Sequence, residues 1–211
     1  VDDRKACWIL VGGRNRLGRA LAETLARDLE LVLTSSRPWE EESRWLESLS
    51  MRTRVRTFRW NADDPELVPT MMADLQALGD AGITLENAVI VAGTFPECPF
   101  GKWEPDELAA TWRRNLSFPL LAAQAVGPRL AAGGCLQFLL DTAIHRPFTQ
   151  RMPYSAAKAG LAALVPALAR QLAPRVRVVG HALGSVLPNE ASDPAFLADR
   201  NLLKRLGTPE D

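Results

Sequence analysis

Short apolar runs alternate with helical patterns along the chain. ACWILV (6–11) and LELVLT (29–34) have the near-continuous hydrophobicity of buried strands. RLGRALAETLARDL (16–29), between them, repeats its apolar positions at helical spacing. A helix is predicted around 39–49, a strand at RVRTF (54–58), a helix around 64–79 and a fourth strand at NAVIVAG (87–93). PDELAATWRRNLSFPLLAAQAVGPRLA (105–131) reads as one long helical region. Pro119 is expected to bend it, because proline removes a ladder hydrogen bond. CLQFLL (135–140), AAKAGLAALVPALARQLA (156–173) and RVRVVG (175–180) complete the pattern as strand, helix and strand.

Six apolar strands separated by helices predict an α/β protein whose parallel sheet is covered on both faces, a three-layer αβα domain. A glycine-rich first turn favours a Rossmann-type, doubly wound sheet, and there are too few units for eight-fold barrel closure. After Gly184 the pattern loosens. Residues 185–205 are the predicted substrate region: SVLPNEASDPAFL as a flexible segment over a pocket, then a short helix near 196–205.

Composition narrows the function classes. The 211 residues suffice for one sizeable core, and 1–211 is taken as a single domain. With 25 basic and 25 acidic residues, no overall field favours nucleic acid or an anionic membrane. The apolar runs are broken well short of a membrane span. No signal-peptide pattern is present, and Cys7, Cys98 and Cys135 are odd in number and widely spaced, so a reduced cytoplasm is expected. Neither His145 nor His181 has neighbours at metal-ligand spacing, and no metal is expected.

Candidate chemistry gathers at strand ends. In ILVGGRNRLGRAL (9–21), Gly12 permits a tight turn and Gly18 a close helix approach, so free N–H groups at the helix start can cradle a pyrophosphate. The same residues also serve a plain structural turn. Arg14 and Arg16 lie in the turn, and Ser36 and Arg37 follow the second strand. A guanidinium with hydroxyls suits a 2′-phosphate, hence NADP over NAD, unless Arg37 merely faces water. Asp63 can accept from an adenine amino group or cap the next helix. Ala92 and Gly93 end the fourth strand and would let a cofactor lie against backbone.

Tyr154 and Lys158 share one helix face. An ammonium beside the phenol would lower its pKa, giving a pair that exchanges a proton with a carbonyl or imine. A helix start with an amphipathic lysine fits the spacing equally well. Asp141 either holds or orients a proton near the substrate, or caps the turn after its strand. Asn115 either anchors a water relay to the lysine or is a surface residue. Phe95, Phe148 and Leu187 lie in loops at the same edge and are candidate walls for a planar substrate.

Taken together, VGGRNRLG (11–18), Asn115, Asp141 and YSAAK (154–158) resemble the short-chain dehydrogenase/reductases over essentially the whole chain. Arg16 followed by Leu17 and Gly18, with Asp141 thirteen residues before Tyr154 where that family usually has serine, is similar to the pteridine reductase and dihydromonapterin reductase branch. That resemblance implies NADPH as cofactor. It implies Gly12, Arg14, Arg16, Leu17, Ser36, Arg37, Asp63, Ala92, Gly93, Gly184 and Ser185 around it. Tyr154 and Lys158 would also touch the cofactor, and with Asp141 and Asn115 would form the catalytic group. A homo-oligomer, tetramer or dimer, is also implied. IVAG (90–93) departs from the family's NNAG, and Val179 and Leu183 stand where Asn and Pro are usual. RLGTPED stands where family members continue into a further helix and strand, so an incomplete C-terminus is expected. Three functions follow: reduction of a pterin-like C=N bond, reduction of a small or 3-oxoacyl carbonyl, or a catalytically degenerate NADP-binding protein.

Overall fold

The computed structural model describes residues 6–187, 193–201 and 203–208. Six strands are described: β1 (Cys7–Val11), β2 (Glu30–Ser35), β3 (Val55–Arg59), β4 (Leu85–Ile90), β5 (Leu130–Asp141) and β6 (Arg177–Leu183). They form one sheet in the order β3-β2-β1-β4-β5-β6, and every pairing is parallel. The strand order reverses between β1 and β4. A crevice opens there at the carboxyl ends, as it does in doubly wound sheets generally.

Both faces of the central strands are buried, which is why these runs read as continuous rather than alternating. Ile9 and Val11 of β1 face one core, shared with α3 (Leu67–Asp80), α5 (Phe118–Val126) and α6 (Met152–Leu172). Leu10, between them, faces the other core with α1 (Arg16–Leu25) and α2 (Ser43–Ser50). All three side chains are fully buried, each stabilising the fold by about 1.5–3 kcal/mol. β1 is therefore a fixed base for the turn that leaves it.

The long region predicted over 105–131 is interrupted. α4 (Pro105–Trp112) passes into a wide π turn, Arg113–Ser117, before α5 begins. The Phe118 N–H reaches back five residues to the Arg113 carbonyl. Pro119 has no N–H, and its ring needs room near the preceding turn. The wider turn supplies that room and leaves Pro119 at the start of α5, where a missing donor costs least. β5 is longer than expected because it continues through the glycines at 133 and 134. α6 starts at Met152, earlier than predicted, so Tyr154 and Lys158 both lie in its first two turns. Within 185–205, α7 (Pro194–Arg200) is a helix, while residues 188–192 and 202 lie outside the described residues. No helix among the described residues is long and apolar enough to cross a membrane.

Gly18 packs against the first turn so closely that an added Cβ would sit 2.4 Å from the Gly12 carbonyl oxygen. Both partners are backbone and neither can swing aside. Gly18→Ala should therefore lower stability by about 2 kcal/mol or more, read as a shifted urea midpoint with an unchanged slope.

Candidate active site

The turn after β1 takes its shape from its own residues. Gly12 has φ +93°, a left-handed conformation, and a Cβ there would meet Ala92 backbone at 2.8 Å. Its N–H donates to Thr34 Oγ1 (3.2 Å). Asn15 caps α1, its Oδ1 accepting from the Gly18 N–H (2.7 Å), while its Nδ2 donates to the Val91 carbonyl (3.2 Å). One asparagine thus joins the glycine turn to the end of β4, in the stretch where IVAG replaces the asparagines of the resembled family. Sequence reading passed over Asn15, although a polar cap three residues before Gly18 was a usable signal.

Two adjoining cavities lie along the carboxyl edge. One, about 430 Å³, is bordered by Gly12, Ser36, Arg37, Asn61, Asp63 and Ala92. Arg14 borders it too, but each of its guanidinium nitrogens already bonds a protein acceptor. Nε donates to Glu42 (3.2 Å), and the two terminal nitrogens bond Glu41 and the Pro38 carbonyl. Only 6 % of Arg14 is exposed, so it pins the segment after β2 to the glycine turn. Arg37 is exposed, and among the described residues its guanidinium has no acceptor. Asp63 is held by Arg113 Nε (2.9 Å) and Arg114 Nη2 (2.6 Å). The Arg114 hydrogen bond is the main reason its carboxyl lies below the usual carboxylate range. It does not cap α3, which begins without a side-chain cap; Asp63 instead ties the end of β3 to the π turn.

The second cavity, about 530 Å³, is lined by Phe95, Asp141, Phe148, Tyr154 and Lys158, and by Leu183 to Leu187 with Leu197. Gly184 and Ser185 are among that lining, as are Arg16, Leu17, Gly93 and Asn115. Tyr154 donates to Asp141 Oδ2 (2.8 Å), and Asp141 Oδ1 accepts from the Ala143 N–H (2.7 Å). The two readings of Asp141 thus coexist: one oxygen caps the turn after β5 and the other takes the phenol. Phe95 stands edge-on to Tyr154, ring centroids 4.8 Å apart, and to Phe148 at 5.6 Å.

Asn115 is completely buried, not a surface residue. Its Oδ1 accepts from the Thr94 N–H (3.0 Å), and its Nδ2 donates to the Thr111 carbonyl (3.0 Å) and to Thr94 Oγ1 (3.2 Å). A Cβ on Gly93 would lie 2.7 Å from that Oδ1 and 3.8 Å from Lys158 Nζ. Lys158, 6 % exposed, donates to the Leu139 carbonyl (2.9 Å), and no other acceptor among the described residues takes its remaining protons.

The Tyr154 phenol shifts in the direction opposite to the expected lowering by Lys158. Burial, and then the Asp141 carboxylate accepting its proton, push the phenol above its ordinary value. Arg151 opposes that push. Lys158 itself is lowered to about 8 by burial, against which Asp141 acts only weakly. The phenol is therefore held protonated, as a proton donor requires. A nicotinamide dinucleotide suits this edge: bare backbone at Gly12 and Gly93 borders the cavities, and a buried ammonium lines one of them with donors to spare.

A buried ammonium with a pKa near 8, against 10.5 ordinarily, opposes folding while charged. That opposition is complete below pH 8 and is relieved as the pH rises towards 10.5, because the unfolded chain then holds more protons than the folded one. Cofactor-free wild type should thus gain stability relative to Lys158→Met across that window, seen as converging or crossing urea midpoints. A constant gap between the two would contradict a depressed Lys158.

The comparisons with known proteins agree with this geometry. Residues 6–194 match the family described as short chain dehydrogenase. Nodulation protein G of Azospirillum brasilense is 27% identical over 96% of this chain and 85% of its own length. Dehydrogenase/reductase SDR family member 4 of Sus scrofa is also 27% identical, over 96% of this chain and 76% of its own. A dehydrogenase/reductase from Sinorhizobium meliloti superposes with a TM-score of 0.87 at 22% identity, over 99% of this chain and 84% of that one, which speaks to the fold. A Brucella melitensis protein titled short-chain dehydrogenase/reductase SDR:Glucose/ribitol dehydrogenase gives 0.85 at 25% identity, over 98% and 84%. The chain belongs to the short-chain dehydrogenase family and is a nicotinamide-dependent reductase.

Proposed function

We propose that this reductase uses NADPH to reduce a planar, pterin-like C=N bond, with Tyr154 as the proton donor. The observation that carries this reading is the 2.8 Å hydrogen bond from Tyr154 to Asp141, set beside Phe95 in a cavity of otherwise mostly apolar lining. When bound, the dinucleotide supplies the hydride. Tyr154 gives its proton to the substrate heteroatom, and Asp141 returns one to the phenolate along the same hydrogen bond after taking it from water at the cavity mouth. Lys158 would hold a ribose hydroxyl through its free donors. Asn115 fixes Thr94, and its Oδ1 would offer its second lone pair to a relay water. Gly12, Leu17, Ala92, Gly93, Gly184 and Ser185 would lie along the cofactor, with Arg16 towards its phosphates.

The 2′-phosphate would fall to Ser36 and Arg37, because each guanidinium nitrogen of Arg14 already bonds a protein acceptor and the residue acts through the segment it pins. Asp63, held by two arginines, shapes the adenine end through its surroundings. A small carbonyl is the second reading, favoured by the aliphatic lining from Leu183, Val186, Leu187 and Leu197. An oligomer and a cytoplasmic setting remain part of the proposal.

Three measurements test this. Tyr154→Phe should leave the NADPH Kd within a few-fold and cut turnover by more than ~100-fold, the scale of one general acid. Comparable activity in the variant would sink the mechanism. Asp141→Asn separates the substrates: dihydropterin turnover should collapse, while a small-ketone activity that survives in its place marks the carbonyl reading. Arg37→Ala should weaken NADPH by about 10–100-fold, the scale of a lost charge-assisted hydrogen bond, and leave NADH within about twofold. NADPH binding without turnover of any substrate would mark a degenerate enzyme.

A further inference from the structure

Arg151 occupies a junction that proton transfer does not itself require. It is the residue before α6, three ahead of Tyr154, and it lines the substrate cavity. Its Nη1 donates to the Phe95 carbonyl (3.0 Å) and its Nη2 to Glu97 Oε1 (2.9 Å). The guanidinium carbon stands 4.2 Å from the centre of the Phe95 ring. One side chain therefore holds the 95–97 stretch by a backbone acceptor, a carboxylate and an aromatic face.

The backbone reinforces the junction. The Cys98 N–H donates to the Gln150 carbonyl (2.8 Å), and Cys98 and Arg151 pair as an isolated parallel bridge. On its other side, the Arg151 carbonyl accepts from both the N–H (3.0 Å) and the Oγ (3.2 Å) of Ser155. The segment after β4 and the first turn of α6 are thus one mechanical unit, with Arg151 at the crossing.

Phe95 needs such a support. It is 44 % exposed, yet its ring keeps a near-perpendicular contact with Tyr154 (80°). Apolar packing on one side only is a weak restraint for a half-exposed loop aromatic. Arginine is suited to the other side: its flat face covers the ring while its fork reaches two acceptors, which a lysine cannot do at once. Of the pair, the arginine side chain is 19 % exposed and the Glu97 side chain 71 %, so the arginine is the sheltered member and the acid orients it from outside.

We propose that Arg151 is a positioning and specificity-determining residue: by fixing Phe95 against Tyr154 it sets the width of the substrate slot and selects planar substrates. The selection rests on reading the cavity as a reductase site; the fixing of Phe95 does not. Arg151 sets the slot through Phe95, and its charge, which also reaches the Tyr154 phenol, is kept in Arg151→Lys.

The full-length chain is compared as wild type, Arg151→Met, which keeps the aliphatic stem, and Arg151→Lys, which keeps the charge. Amide hydrogen exchange read by mass spectrometry should accelerate about tenfold or more across residues 94–98 in Arg151→Met, with β1 and β4 unchanged and Lys restoring part of the protection. With NADPH, the dihydropterin KM should rise about tenfold and kcat stay within about threefold, the scale of one lost hydrogen bond and one cation–π contact. The KM of a small ketone should move far less. Unchanged exchange across 94–98, or an equal loss on both substrates with kcat falling, overturns the proposal. If wild type reduces neither substrate, the reductase reading fails alone, and exchange still decides whether Arg151 fixes Phe95. Should Arg151→Met not fold, the surface change Glu97→Gln carries the same comparison: a smaller acceleration over 94–98 supports the proposal, and none overturns it.

Discussion

The hydrogen bond from Tyr154 to Asp141 joins the end of β5 to the start of α6, and the active-site edge is organised around it. Asp141 cannot drift, because its second oxygen is held by the Ala143 N–H. Tyr154 cannot turn freely, because Phe95 stands against its ring. Four residues on, Lys158 reaches the carbonyl of Leu139, in the strand that ends at Asp141. Strand and helix are thereby fixed in both rotation and height. A phenol buried beside a carboxylate keeps its proton; a lysine buried nearby loses part of its hold on its own. The two groups are pushed in opposite directions by one desolvated environment, an arrangement that functional sites favour over structural ones.

The rest of the edge is held by polar side chains that cross between elements. Asn15 links the glycine turn to the end of β4, Asn115 links the π turn to Thr94, and Asp63 links β3 to the same π turn through two arginines. Arg14 does this for the segment after β2, and Arg151 for the segment after β4. Each cross-link satisfies polar groups that a crevice between strand ends would otherwise leave without partners. The two cavities therefore share walls: Asn15 and Gly93 border both.

Much of this was legible in the sequence, for identifiable reasons. A parallel, doubly wound sheet follows from apolar runs alternating with helices after a glycine turn, and it holds because both faces of the sheet are buried. The carboxyl-edge positions of Tyr154, Lys158, Asp141 and Gly12 follow from the same pattern. Local patterns were less informative about partners. Arg14 looked like a phosphate ligand because the acids that saturate it lie 27 and 28 residues away. Asp63 looked like an adenine contact or a cap, since Arg113 and Arg114 are 50 and 51 residues distant. The π turn was hidden inside a continuous helical pattern, although Pro119 hinted at a break. The Tyr154 shift was misjudged because four-residue spacing speaks of Lys158, while the nearer influence, Asp141, comes from another element.

Tyr154 is the only tyrosine in the chain, so tyrosinate absorbance near 295 nm reports on one phenol. A pH titration of the folded, cofactor-free protein, alongside Asp141→Asn, tests the central interaction most directly. The account predicts a wild-type midpoint above the ordinary value of 10.0, with the Asn variant titrating at lower pH than wild type. A wild-type midpoint at or below 10.0 that does not move on Asp141→Asn would contradict it.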